Sequence, residues 1–189
     1  FESKDKVHYI GFDLFEEATE ELDKYELNSK PHNTIVAVNN RLQEFADKMK
    51  EKGKEFTFEL HKGDSKETLY KAKERIANAN FAFIDGGHSE ETVLSDYANL
   101  KHCDVIVFDD YFSKDQEGNI LADEYLGTNR LVDGFENTLT EGRCIVLPSQ
   151  DKVKGGGVTH LALLLAKDDL PKPPASLLKV PLIIKPKDS

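Results

Sequence analysis

The chain has 189 residues with 35 acidic and 25 basic side chains, a formal net charge of −10, and no basic run beyond lysines scattered through one solvated helix and the tail. That balance makes nucleic acid a poor partner. The length suits one well-filled α/β core rather than two, and neither a membrane-spanning apolar stretch nor a signal-peptide pattern occurs, so a soluble, cytoplasmic protein is expected.

The opening FESKDK reads as the polar end of a helix already under way, and the chain is expected to begin mid-domain. The first strand-length apolar run is VHYIGF (7–12), closed by Asp13, with a helix-like segment at 16–25. Residues 34–52 place Ile35, Leu42, Phe45, Ala46 and Met49 at roughly helical spacing and lead to the run FTFEL (56–60). HKGDS follows, and Asp64 with Glu67 three residues on marks a helix over 66–79. FAFI (81–84) runs into Asp85, Gly86, Gly87 and His88, after which Ser89 and two glutamates start a helix over 89–100. DVIVF (104–108) ends in Asp109, Asp110 and Tyr111, followed by a polar loop at 113–126 and a helix at 127–140. The runs CIVL (144–147) and THLALLLA (159–166) are joined by a glycine-bearing link too short for a crossover helix, which predicts an antiparallel hairpin. Strands alternating with helices predict a mostly parallel sheet covered on both faces. Residues 169–189 are proline-punctuated and read as a tail outside the domain at 1–168, whose LLKVPLIIK run docks on the surface. Cys103 and Cys144 each begin an apolar run and read as free core thiols; His8, His32, His61, His102 and His160 occur singly and read as structural.

In an open parallel sheet, ligands bind beyond the carboxyl ends of the strands. Asp13, the Gly63-Asp64-Ser65 turn, the Asp85–His88 turn and Asp109-Asp110 all stand at such ends. Asp13 either accepts hydrogen bonds from the two hydroxyls of a ribose or caps the following helix. Asp85, Asp109 and Asp110 would crowd if runs 81–84 and 104–108 are neighbours about 4.8 Å apart. An all-oxygen cluster of that kind suits a hard divalent cation such as Mg²⁺; the plain alternative is a helix cap and a solvated carboxylate. His88 is either a general base beside that cation or a hydrogen-bonding support for its ligands. No phosphate-cradling glycine loop occurs, since the glycines at 155–157 open no helix.

The stretches HYIGFDLF, HKGDSKETL, FAFIDGGHSEETVLSDYANL and DVIVFDDYF, in this order, resemble the class I S-adenosylmethionine-dependent methyltransferases. The resemblance runs from residue 7 to about 166 and is closest to the Mg²⁺-binding small-molecule and sugar O-methyltransferases, such as the macrocin enzymes. It implies a Rossmann-like α/β sheet ending in an antiparallel strand. It further implies that Asp13 holds the ribose of S-adenosylmethionine, that Asp64 and Ser65 lie near its adenine, that Asp85, Asp109 and Asp110 hold the metal, and that Asp85 also belongs to the cofactor-binding and, with His88, to the catalytic residues. Two departures stand out. Relatives commonly read Asp-Gly-Asp where this chain has Asp85-Gly86-Gly87, which leaves His88 as the candidate base. The family's central first strand and glycine-rich loop would precede residue 1, so either upstream sequence or another segment, LLKVPLIIK or a strand from a second molecule, is expected to fill the gap.

The sequence therefore predicts methyl transfer to a hydroxyl of a small or sugar-like acceptor, framed by Tyr111, Phe112 and the 113–126 loop. The rival readings are a metal-dependent hydrolase using the same aspartates on water, and a non-catalytic binding module that keeps the fold. A homo-oligomer is compatible with either.

Overall fold

The computed structural model describes residues 5–26, 28, 31–113, 127–135, 143–147, 151–152 and 158–165. The expected features at 114–126, 155–157 and 169–189, and the end of the helix predicted to reach 140, lie outside the described residues. Backbone contacts divide the chain into two compact units, Phe1–Ile76 and Ala77–Ser189.

The first unit contains β1 (Lys6–Asp13), a 3-10 turn (Phe15–Glu17), α1 (Glu20–Tyr25), α2 (Ile35–Glu51), β2 (Glu55–Lys62), α3 (Ser65–Lys71) and α4 (Lys73–Ile76). β1 and β2 pair in parallel, from Lys6 opposite Glu55 to Asp13 opposite Lys62. Parallel neighbours need a long crossover, and α2 supplies it. The ring of Phe45 on α2 meets Phe56 on β2 edge-on at 4.9 Å, and Met49, Phe56, Leu69 and Ile76 are buried with Phe15. Two expected helices are broken. In place of a helix over 16–25, Ala18 and Thr19 are extended, and Thr19 Oγ1 accepts from the Leu22 N–H at 3.2 Å, so α1 begins only at Glu20. The helix expected over 66–79 closes at Ala72 and restarts as the single turn of α4.

The second unit contains β3 (Phe81–Ile84), α5 (Glu90–Leu100), β4 (Val105–Phe112), α6 (Gly127–Gly134), β5 (Arg143–Val146), β6 (Asp151–Lys152) and β7 (Val158–Leu165). Its sheet runs β3-β4-β7-β5, with β6 also on β7. β3 and β4 are parallel, Ile84 standing opposite Phe108, whereas β7 is antiparallel to β4, β5 and β6. The expected hairpin of the last two long runs is present, with β7 lying between β5 and β4. The core gathers Ile84, Val93, Ile106, Phe108, Leu131, Ala162 and Leu164, with Phe108 and Ile106 fully enclosed. Side chains of that size contribute about 1.5–3 kcal/mol each on burial.

The expectation of a sheet covered on both faces fails at β3. Ala82 and Ile84 turn into the core with Val93 of α5, but Phe81 and Phe83, on the opposite face, are 56% and 49% exposed. The described strands also form two separate sheets, β1-β2 and β3-β4-β7-β5. Among the described residues no helix is long and apolar enough to cross a membrane. Both cysteines are free; Cys103 is buried, and burial, with Asp104 adding negative charge, pushes its thiol pKa up, away from the reactive thiolate.

β4 outlasts β3 by four residues, which leaves backbone groups at Phe112 to be paired by something else. The fully buried amide of Asn129 on α6 does this. Its Oδ1 accepts the Phe112 N–H at 2.8 Å and its Nδ2 donates to the Phe112 carbonyl at 3.0 Å, as a neighbouring strand would. Asn129→Ala strands both groups, at about 1–3 kcal/mol each. Urea denaturation should show a loss of about 2–4 kcal/mol; a loss too small to measure would mean that another group takes over the pairing.

Candidate functional site

Register builds the acidic cluster. Because β3 and β4 are parallel and Ile84 is level with Phe108, the next residues along, Asp85 and Asp109, emerge side by side at the carboxyl end of the sheet. Beyond Phe108 the pairing of β4 with β7 is irregular until Tyr111, and the two residues in that bulge are Asp109 and Asp110. Asp110 has φ +53°, a left-handed backbone that aspartate tolerates better than most residues. Its N–H is taken by Asp109 Oδ1 at 2.8 Å. Each of Asp85, Asp109 and Asp110 thereby offers a carboxylate oxygen, all within 4.8 Å of one another. Three hard oxygen donors so close match the ligand preference of Mg²⁺ or Ca²⁺.

His88 joins the cluster through Asp110, with His88 Nε2 and Asp110 Oδ2 2.6 Å apart and both side chains four-fifths or more buried. A carboxylate only accepts, so Nε2 carries a proton, and in the neutral ring the lone pair belongs to Nδ1. Base chemistry at His88 would therefore use Nδ1, with Asp110 fixing the tautomer. The turn is held from two sides. Ser89 caps α5, its Oγ accepting the Thr92 N–H at 3.2 Å. The Gly127 N–H, at the start of α6, donates to the His88 carbonyl at 2.8 Å.

In the first unit, the predicted cofactor residues have local hydrogen bonds. Asp13 ends β1 exposed, and its Oδ1 accepts the Phe15 N–H at 2.6 Å where Phe15 takes φ +51°. This bond holds the turn at Phe15 and is not the helix cap weighed against ribose binding, since Thr19 caps α1; it engages one of the two carboxylate oxygens. Asp64 caps α3 through the Lys66 N–H at 2.9 Å, and Ser65 is the helix's first residue. Asp13, Asp64 and Ser65 thus belong to one unit and the aspartates with His88 to the other.

A family model described as a methyltransferase domain matches residues 2–111, more than half of the chain. The chain belongs to that family. The matched span runs from β1 to the bulge of β4 and contains all seven predicted site residues. No curated protein and no solved structure was found to match. For a methyltransferase domain, S-adenosylmethionine is the methyl donor that membership implies.

Other residues of the second unit have roles that the sequence did not predict. Tyr111, expected to frame the acceptor, donates its hydroxyl proton to Asp133 on α6 at 3.0 Å and packs in the core. His160, read as structural, bridges Ser113 Oγ at 2.7 Å and the Leu147 carbonyl at 3.2 Å. Gly127 is required by proximity. A Cβ there would lie 2.6 Å from the Ser89 carbonyl oxygen and 2.8 Å from the Glu90 Cα, both backbone atoms that cannot swing aside. Its only signal in sequence is a glycine at a helix start, which names no partner 38 residues upstream. Gly127→Ala should push α6 off the His88–Glu90 stretch, costing about 1–3 kcal/mol and shifting the His88 ring proton resonances. Unmoved resonances in the variant would contradict this coupling.

Proposed function

We propose that this methyltransferase domain transfers the methyl group of S-adenosylmethionine to a hydroxyl of a small or sugar-like acceptor, with a hard divalent cation, Mg²⁺ being the natural one, at Asp85, Asp109 and Asp110. The observation that carries the reading is the convergence of those three carboxylates with His88 fastened to one of them. Such a cation supplies Lewis acidity, which lowers the pKa of an acceptor hydroxyl. The chain's own residues do the rest. Asp110 orients the His88 ring through Nε2–H, His88 would take the proton leaving the acceptor, and the carboxylates would fix where the acceptor oxygen sits. Asp13 would take a ribose hydroxyl on the oxygen that Phe15 does not use, and Asp64 with Ser65 would serve the adenine end.

Two measurements test this. With S-adenosylmethionine and a panel of hydroxylated sugars, transfer should stop on chelation and return with Mg²⁺; transfer that persists in EDTA contradicts metal assistance. Calorimetry with S-adenosylhomocysteine should show binding that Asp13→Asn weakens about tenfold, because the substitution keeps an acceptor for the Phe15 N–H while losing charge-assisted bonds. Equal affinity in the variant would leave Asp13 as a turn cap only.

A further inference from the structure

Asp96 is the one charged residue among the buried described residues, with 5% of its surface exposed. It lies on the inward face of α5 with Thr92 and Val93, where an apolar side chain would pack at less cost. Aspartate is a weak helix former, so α5 itself gives no reason for it. A buried carboxylate costs several kcal/mol unless hydrogen-bond donors surround it.

The turn above α5 gives the reason. A Cβ added to Gly86 would lie 3.2 Å from Asp96 Oδ2, so the carboxylate is at contact distance from the backbone between Asp85 and His88. The absence of a side chain at Gly86 is what lets the carboxylate come so close to the turn.

We infer that Asp96 is a positioning residue: from the buried face of α5 its carboxylate anchors the Asp85–His88 turn, and so sets where Asp85 and His88 stand relative to Asp109 and Asp110. Its consequence for cation binding rests on the function proposed above; the anchoring itself does not. The role differs from that of a core residue, because its loss should loosen one turn and leave the sheet intact.

The test uses the full chain carrying Asp96→Asn, which keeps the side chain's size, and separately Gly86→Ala, which attacks the same contact from the exposed side of the turn. Amide hydrogen exchange is followed by NMR without added metal, and Mg²⁺ affinity by calorimetry. Each variant should speed exchange at Gly86, Gly87 and His88 at least tenfold while Ile106 and Phe108 in β4 exchange as in the parent, and should weaken Mg²⁺ binding at least fivefold. In an Asp96→Ala background, Gly86→Ala should add little further. Unchanged exchange at the turn in both single variants, or acceleration spread evenly over β4, would overturn the inference. If the parent chain binds no Mg²⁺, the cation reading fails while the exchange pattern still decides whether Asp96 anchors the turn.

Discussion

Three carboxylates whose oxygens lie within 4.8 Å of one another repel, and the strands of the second unit bring their backbones to one end of the sheet. Each pair costs at least about 1 kcal/mol if solvated as in water and about 3 kcal/mol in surroundings typical of a protein surface. Parallel pairing of β3 with β4 fixes Asp85 beside Asp109, and the bulge brings Asp110 round to the same end. The left-handed backbone at Asp110 is a further small cost, met in part by the hydrogen bond from its own N–H to Asp109. A fold that holds repulsion and backbone strain in one place has concentrated its cost where a cation would offset it.

The supports of that cluster radiate from β4. β7 pairs along one edge, β3 along part of the other, and Asn129 pairs Phe112 at the far end of that second edge. α6 therefore does three things at once: Asn129 completes the strand, Asp133 receives the Tyr111 hydroxyl, and Gly127 holds the His88 carbonyl. α5 supports the same turn from its capped N-terminus and, through Asp96, from within.

Much of this was legible in sequence because local rules govern it. The strand at FAFI, the caps at Asp64 and Ser89, and the hairpin between the last two long runs follow from run length, capping chemistry and link length. The aspartate cluster was legible for the same reason, since two apolar runs that end in carboxylates need only be neighbours. What was not legible depends on distant partners. Nothing near Gly127 or Asn129 names His88 or Phe112. Asp96 is one acid among several in its stretch of sequence, and only the fold buries its face. Asp13 illustrates the converse limit: a strand-end carboxylate reads equally as a ribose ligand or a helix cap, and the structure gives the cap of α1 to Thr19 while Asp13 holds the turn at Phe15, which leaves ribose binding undecided. The exposed face of β3 escaped prediction because four consecutive apolar residues look the same whether one face or two are covered.

The central claim is that Asp85, Asp109 and Asp110 form one cation site of oxygen donors. Titration with Mn²⁺ followed by electron paramagnetic resonance tests it directly, because the free ion's signal is lost on binding. One site per chain is predicted, weakened at least tenfold by Asp109→Asn and by Asp85→Asn with the fold retained, and competed by Mg²⁺. Mn²⁺ binding that is absent from the parent chain, or indifferent to both substitutions, would contradict the account.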